Sequence, residues 1–163
     1  MPGLSTYYLQ NLMQICSFDP NTFKGVLSCD NFYLKVKDIN LSPSDRYIIN
    51  LSSSNHKGSH WIAILVNANN KVEYFDPYGL DCFDSYIRKA FEEQEITIET
   101  FKKTIQNPSS EFCGLYCVAY LLCRELDISK STFASFFHEN NIIQNDMICV
   151  EVIKDIIKKE GIN

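Results

Sequence analysis

At 163 residues, with 45% hydrophobic residues, six glycines and five prolines, the chain is long enough to bury a core and has the composition of neither a disordered tail nor a fibre. A net charge of −5 argues against a globally basic nucleic-acid binder, because neutralising phosphates takes a concentration of Lys and Arg. No apolar run reaches the ~18 residues of a membrane span, and "MPGLSTYYLQNLMQIC" lacks the basic start and apolar centre of a signal peptide, so the expectation is one intracellular domain, 1–163, with no membrane partner.

Seven cysteines, at 16, 29, 82, 113, 117, 123 and 149, lack the dense regular spacing of a disulfide scaffold, so reduced thiols are expected. In chain order, "STYYLQNLMQI" has helical apolar spacing behind a Ser5 cap, and Tyr47 to Leu51 reads as a short strand. "HWIAILV" (60–66) is apolar on both faces, "KVEYFDP" (71–77) alternates, and "NANN" between them is turn chemistry, so the pair reads as a hairpin. "DSYIRKAFEEQ" reads as an amphipathic helix and "ITIETF" as a strand. "GLYCVAYLLCREL" is a buried helix, and "SKSTFASFFHEN" and "DMICVEVIKDIIKKE" predict two more. Strands before Cys113 and helices after it give an α+β class.

The hairpin brings chemistry together. A closing loop of Asn67 to Asn69 sets His60 directly opposite Asp76 on one face, while a one-residue slip would send them to opposite faces. Asp76 ends its strand in "DPYG", a turn that holds the carboxylate at a sheet edge and suits it to orient a histidine. Cys113 follows the loop "NPSS" and lies in the first turn of its helix, where the positive end of the helix dipole favours thiolate. A cysteine nucleophile also needs a base and donors for the developing oxyanion. His60 can be the base, Gln106 offers a side-chain NH2 seven residues upstream, and the N–H groups around Cys113 and Gly114 offer the rest. Gly114 also removes a side chain where substrate must approach. Cys117 and Cys123 read as packing. His56 and His60 lie four apart in loop composition without any Cys-x2-Cys pair, so no metal or other cofactor is expected.

The segments "SHWIAI", "YFDPYG" and "QNPSSEFCGLYC" resemble the His, acidic and Gln/Cys motifs of the adenain-type cysteine proteases. These are the adenovirus maturation endopeptidases and their relatives in Maverick/Polinton elements and other large DNA viruses, themselves akin to the SUMO-deconjugating Ulp1 proteases. The six residues between Gln106 and Cys113 are closer to the viral branch. "NTFKGVLSCDNF" (21–32) resembles the family's N-terminal segment that lines part of the cleft, and the likeness runs from about residue 9 to residue 126.

The resemblance implies a papain-like/Ulp1-like fold, a central mixed sheet flanked by helices with the nucleophile at a helix N-terminus. It implies Cys113 as nucleophile, His60 as general base and acid, Asp76 as orienter and Gln106 in the oxyanion hole, with Trp61 beneath the site or flanking the substrate cleft. The implied function is maturation of viral or virus-like structural precursors at small-residue, Gly-containing sites. The alternatives are a deconjugase for a ubiquitin-like modifier, a same-clan acyltransferase, or an inactive binding module. The implied partners are precursor polypeptides, met by a monomer inside the host cell or virion. The family also implies a peptide or DNA activator, but Glu95 stands where the cofactor-binding cysteine would be, and the acidic balance gives DNA little to hold. Asp76 replaces the adenoviral Glu, so its shorter reach must be met by backbone placement.

Overall fold

The computed structural model describes residues 4–159 and 161; Glu160, the last residue of the final predicted helix, lies outside them, as do the remaining residues at the two chain ends. A five-stranded sheet runs in the order β1 (Phe23–Ser28), β2 (Arg46–Asn50), β3 (Trp61–Asn67), β4 (Lys71–Phe75) and β5 (Thr97–Thr100). The two outer pairs are parallel and the two inner pairs antiparallel, so the sheet is mixed. Parallel neighbours need a crossover, and the chain supplies one helix for each, α2 (Cys29–Val36) between β1 and β2 and α3 (Ser85–Glu92) between β4 and β5. Both land on the same face of the sheet, where Phe32, Val36, Ile87 and Phe91 pack against Tyr47, Ile49, Ile62, Ile64 and Val72.

The opposite face is covered by α4 (Cys113–Glu125), with α1 (Thr6–Cys16), α5 (Lys130–Ser135) and α6 (Asn145–Lys159) around it. β3 therefore reads as apolar on both sides because both sides are covered: Ile62, Ile64 and Val66 face one core, Trp61, Ala63 and Leu65 the other. Ser5 caps α1 as its sequence predicts, its Oγ accepting from Tyr8 N at 3.2 Å, and Asp84 caps α3 through Ile87 N at 2.9 Å. The helix predicted over "SKSTFASFFHEN" is shorter than its apolar pattern, stopping at Ser135.

Glu73 of β4 is buried, at 2% exposure, under α4. Its carboxylate accepts from Arg124 Nε at 3.0 Å, Arg124 Nη2 at 2.9 Å and the Tyr120 hydroxyl at 2.5 Å. Burial raises the pKa of such a carboxyl, yet the bonds from Arg124, Tyr120 and Asn67 more than offset it and hold Glu73 below its ordinary range. A second buried pair, Arg46 Nη1 with Glu125 Oε2 at 2.7 Å, lies beside it on the next residue of α4. Together they fasten the C-terminal end of α4 to the sheet, and with it the line on which Cys113 stands at the other end.

Candidate active site

Cys113 is the first residue of α4, and Phe112 before it provides no side-chain cap. The first-turn N–H groups of a helix lack intrahelical acceptors, so the thiol sits beside unpaired donors at the positive end of the dipole. Stacking of Tyr120 on Phe75, ring centroids 4.2 Å apart, sets α4 across the strand that leads to Asp76.

His60 precedes β3, and its carbonyl accepts from Leu51 N at 2.9 Å. The loop 51–59 before it is closed at the base by Asn50, whose Oδ1 accepts from Ser52 N at 2.9 Å and Ser59 N at 3.2 Å. His60 Nε2 contacts Asp76 Oδ1 at 2.9 Å. Cys113 is the other neighbour that acts on this ring. Burial disfavours the imidazolium, but hydrogen bonds to Asp76 and Cys113 and the charge of both outweigh it, and the His60 pKa is pushed up to about 9. The carboxylate holds the imidazole by a hydrogen bond and the thiol stands near the same ring, an arrangement able to move a proton between sulfur and ring while the ring's charge is held.

The adjacency of His60 and Asp76 survives a change in the predicted register. Asn67 pairs with Lys71 and Ala63 with Phe75, so the closing loop is Ala68 to Asn70, one residue later than expected. Asn69 and Asn70 occupy the left-handed region at φ 62° and 54°, which Asn tolerates better than most residues. Extending that register sets His60 opposite Tyr78, and the two rings do stack, at 4.7 Å and 15°. Asp76 is then diagonal to His60 but still on its face, because the slide preserves the alternation.

The "DPYG" turn is built to hold the carboxylate. Asp76, 1% exposed, accepts at the same Oδ1 from Tyr78 N at 2.8 Å, and its carbonyl accepts from Gly79 N at 2.8 Å. Gly79 has φ +71°, and a Cβ there would lie 2.8 Å from the Lys103 carbonyl carbon. The turn also grips the segment leading to the cysteine: Pro77 O accepts from Ile105 N at 2.9 Å and Gln106 N at 3.1 Å. Gln106 is fully buried, with Nε2 donating to Ser110 O at 2.9 Å and to Ser110 Oγ at 3.1 Å.

His60, Trp61, Tyr78 and Cys113 open on a groove of about 920 Å³ whose far wall is β1 and the Ser-rich loop 52–59. Val26, Leu27 and Ser28 line it, in the segment whose likeness predicts a cleft wall. Trp61 is anchored by Nε1 donating to Leu4 O at 3.2 Å. A Cβ at Gly114 would meet Leu9 at 2.9 Å and Trp61 at 3.4 Å, so the glycine lets α1 pack on α4. Tyr78, Asn50 and Ser110 are site neighbours that sequence reasoning passed over. Tyr78 had a signal, since it lies inside the quoted "DPYG".

The other six thiols are insulated. Burial raises the pKa of Cys16, and burial with the nearby Asp84 carboxylate pushes Cys29 up to about 11 and Cys82 to about 12. Burial takes Cys123 to about 12 and holds Cys117 and Cys149 well above the ordinary thiol value. All seven are free. Among the described residues, no helix is long and apolar enough to cross a membrane.

The profile of the family described as adenovirus endoprotease matches residues 38–160. The chain is 27% identical over 115 residues to the protease of bovine adenovirus C serotype 10, covering 58% of this chain and 59% of that protein. It is 29% identical over 89 residues to the protease of human adenovirus A serotype 12, covering 45% of this chain and 43% of that one. The chain thus spans about half the length of the curated relatives it matches. The crystal structure of the ASFV pS273R protease superposes with a TM-score of 0.55 at 18% identity, covering 90% of this chain and 66% of that one, so the α+β fold is shared.

Proposed function

Because this chain belongs to the adenovirus endoprotease family, we propose that it is a cysteine endopeptidase in which Cys113 is the nucleophile, His60 the general base and acid, and Asp76 the orienter of His60. Gln106 and the Cys113 N–H are the proposed oxyanion donors. The observation that carries this reading is the His60–Asp76 hydrogen bond, with His60 and Cys113 together on the wall of one groove.

The Cys113 thiolate attacks the scissile carbonyl carbon; a C–S bond forms and the π electrons move to oxygen, where N–H donors meet the charge. As the tetrahedral species collapses, the C–N bond breaks and the His60 imidazolium gives its proton to the leaving amine. Water then attacks the thioester, neutral His60 takes its proton, and the thiolate leaves. Trp61 and Tyr78 flank the substrate. An open groove suits an extended, unstructured segment, which supports viral or virus-like structural precursors as substrates, cut at Gly-containing sites during particle maturation. A covalently attached peptide activator is not part of the proposal, since the exposed turn at Glu95, φ 54°, offers no thiol.

The test incubates the protein and a Cys113→Ala control with a library of short unstructured peptides and with folded ubiquitin-like conjugates, reading products by mass spectrometry. Cysteine-dependent cuts after Gly in short peptides are expected. Cleavage of the folded conjugates alone would replace the reading with a deconjugase, and cleavage of neither would overturn the autonomous peptidase.

A further inference from the structure

We infer that Lys57, on the groove wall that faces Cys113, is a specificity-determining residue that selects an acidic side chain in the substrate polypeptide. The inference rests on the peptidase reading and deepens it by naming the chemistry of the segment to be cut.

Lys57 is a cation that the fold does not use. Among the described residues, every Lys and Arg side chain before the last turn of α6 has a carboxylate partner except two. Lys35 donates instead to Lys24 O at 2.6 Å. Lys57 has neither kind of partner, and it is exposed on the groove lining. The chain carries a net charge of −5, so it repels an acidic segment overall, and an unpaired ammonium in the groove reverses that sign locally. The other formally charged side chain lining the groove, Glu111, stands two residues before Cys113, so the two walls carry opposite signs. An acidic substrate residue is therefore favoured where it faces the 52–59 loop and disfavoured where it faces Glu111.

The loop that presents Lys57 is tied down on both sides of it. Asn50 Oδ1 closes the base by accepting from Ser52 N and Ser59 N, and Ser52 Oγ donates to Ser59 Oγ at 2.9 Å. Asp30, on α2, accepts from Ser54 N at 2.8 Å and from Ser54 Oγ at 2.6 Å. His56 Nδ1 lies 2.8 Å from Ser53 Oγ. Gly58, the next residue, lies so close to Asn50 that a Cβ would come within 2.9 Å of its Nδ2. With the backbone fixed in advance, pairing orders little more than the lysine side chain itself. A carboxylate arriving there gains a charge-assisted hydrogen bond that its amide isostere lacks.

The test takes a short Gly-containing peptide, replaces each residue flanking the cut in turn by Asp or Asn, and measures kcat/KM with wild type, Lys57→Ala and Lys57→Glu. At one or more positions wild type is expected to prefer Asp over Asn by about three- to fivefold through KM, the size an exposed ion pair allows, with the preference fading in about 0.5 M salt. Lys57→Ala is expected to abolish the preference and Lys57→Glu to invert it, while all three proteins cut the Asn peptides at the same kcat. The same peptides are bound to Cys113→Ala protein, with and without Lys57→Ala, and read by fluorescence anisotropy, so the groove is probed even where no bond is cut. An absence of Asp preference at every position, in cleavage and in binding, or a preference that survives Lys57→Glu, would overturn selection by Lys57. Cysteine-dependent cutting of the Asn peptides reports the peptidase reading separately: its presence keeps that reading when selection fails, and Lys57-dependent binding of Asp peptides without any cutting keeps selection when the autonomous peptidase fails.

Discussion

Replacing Asp76 by Asn removes a charge with little change of shape, and its expected consequence is a displaced pH profile. The Asn carbonyl can still accept from Tyr78 N and His60 Nε2, so the turn and the ring position are retained, but the negative charge that sustains the imidazolium is gone. In the wild type the His60 pKa stands at about 9, against an ordinary 6.5, despite burial that pulls the other way. That gap corresponds to roughly 3 kcal/mol of preference for the charged ring in the folded state, shared between Asp76 and Cys113. Because the folded pKa lies above the unfolded one, the stabilisation is complete below about pH 6.5 and is lost progressively as pH rises through about 9. The kcat/KM of peptide hydrolysis should follow the same group, falling above about pH 9 as His60 loses the proton needed by the leaving amine. In Asp76→Asn the alkaline limb is expected to move down by about one pH unit or more, with urea melts losing the pH dependence of stability between neutral and alkaline pH. An alkaline limb that stays where it was would refute the coupling and reduce Asp76 to a turn residue.

Three other perturbations separate scaffold from chemistry. Gly79→Ala forces a β-carbon onto the Lys103 backbone at positive φ, and should cost about 1–3 kcal/mol in urea unfolding and slow turnover by shifting Asp76; wild-type stability would mean that the turn relaxes freely. Arg124→Ala strands a buried carboxylate at Glu73 and should cost roughly 3–5 kcal/mol, largely recovered by adding Glu73→Gln; a loss below about 1 kcal/mol would show the pair to be solvated. Gly114→Ala presses a methyl group into Leu9 and should destabilise by about 1–3 kcal/mol while KM of the folded enzyme is unchanged; a selective rise in KM would return Gly114 to the substrate wall.

What could be read from the chain depended on how far each signal had to reach. α1 and α4 were legible because capping and apolar spacing are local, and Cys113 does open its helix. The hairpin was legible as a hairpin, but its loop lies one residue later, a choice between Asn-rich alternatives that composition leaves nearly equal. Parity preserved the His60–Asp76 contact through that error. β1 gave no strand signal, since its ladder shifts register between Phe23 and Gly25, where Gly25 has φ +133°, and its pairing with β2 is parallel and distant in sequence. The ion pair of Glu73 was not legible, because its cation, Arg124, arrives from a helix that begins 40 residues later. Ser110 was invisible as a site neighbour for the same reason: it is an ordinary polar residue until α6 folds back on the 105–110 turn and Asp146 Oδ1 accepts from its hydroxyl at 3.2 Å.

The insulation of six thiols turns the seventh into an analytical handle. At neutral pH those six stay protonated, while Cys113 stands with the His60 imidazole on the wall of a groove. A limiting dose of an alkylating reagent therefore becomes a stoichiometric label, one adduct per competent molecule. Mass spectrometry of the intact chain would count the fraction of a preparation that is correctly assembled before any substrate is known.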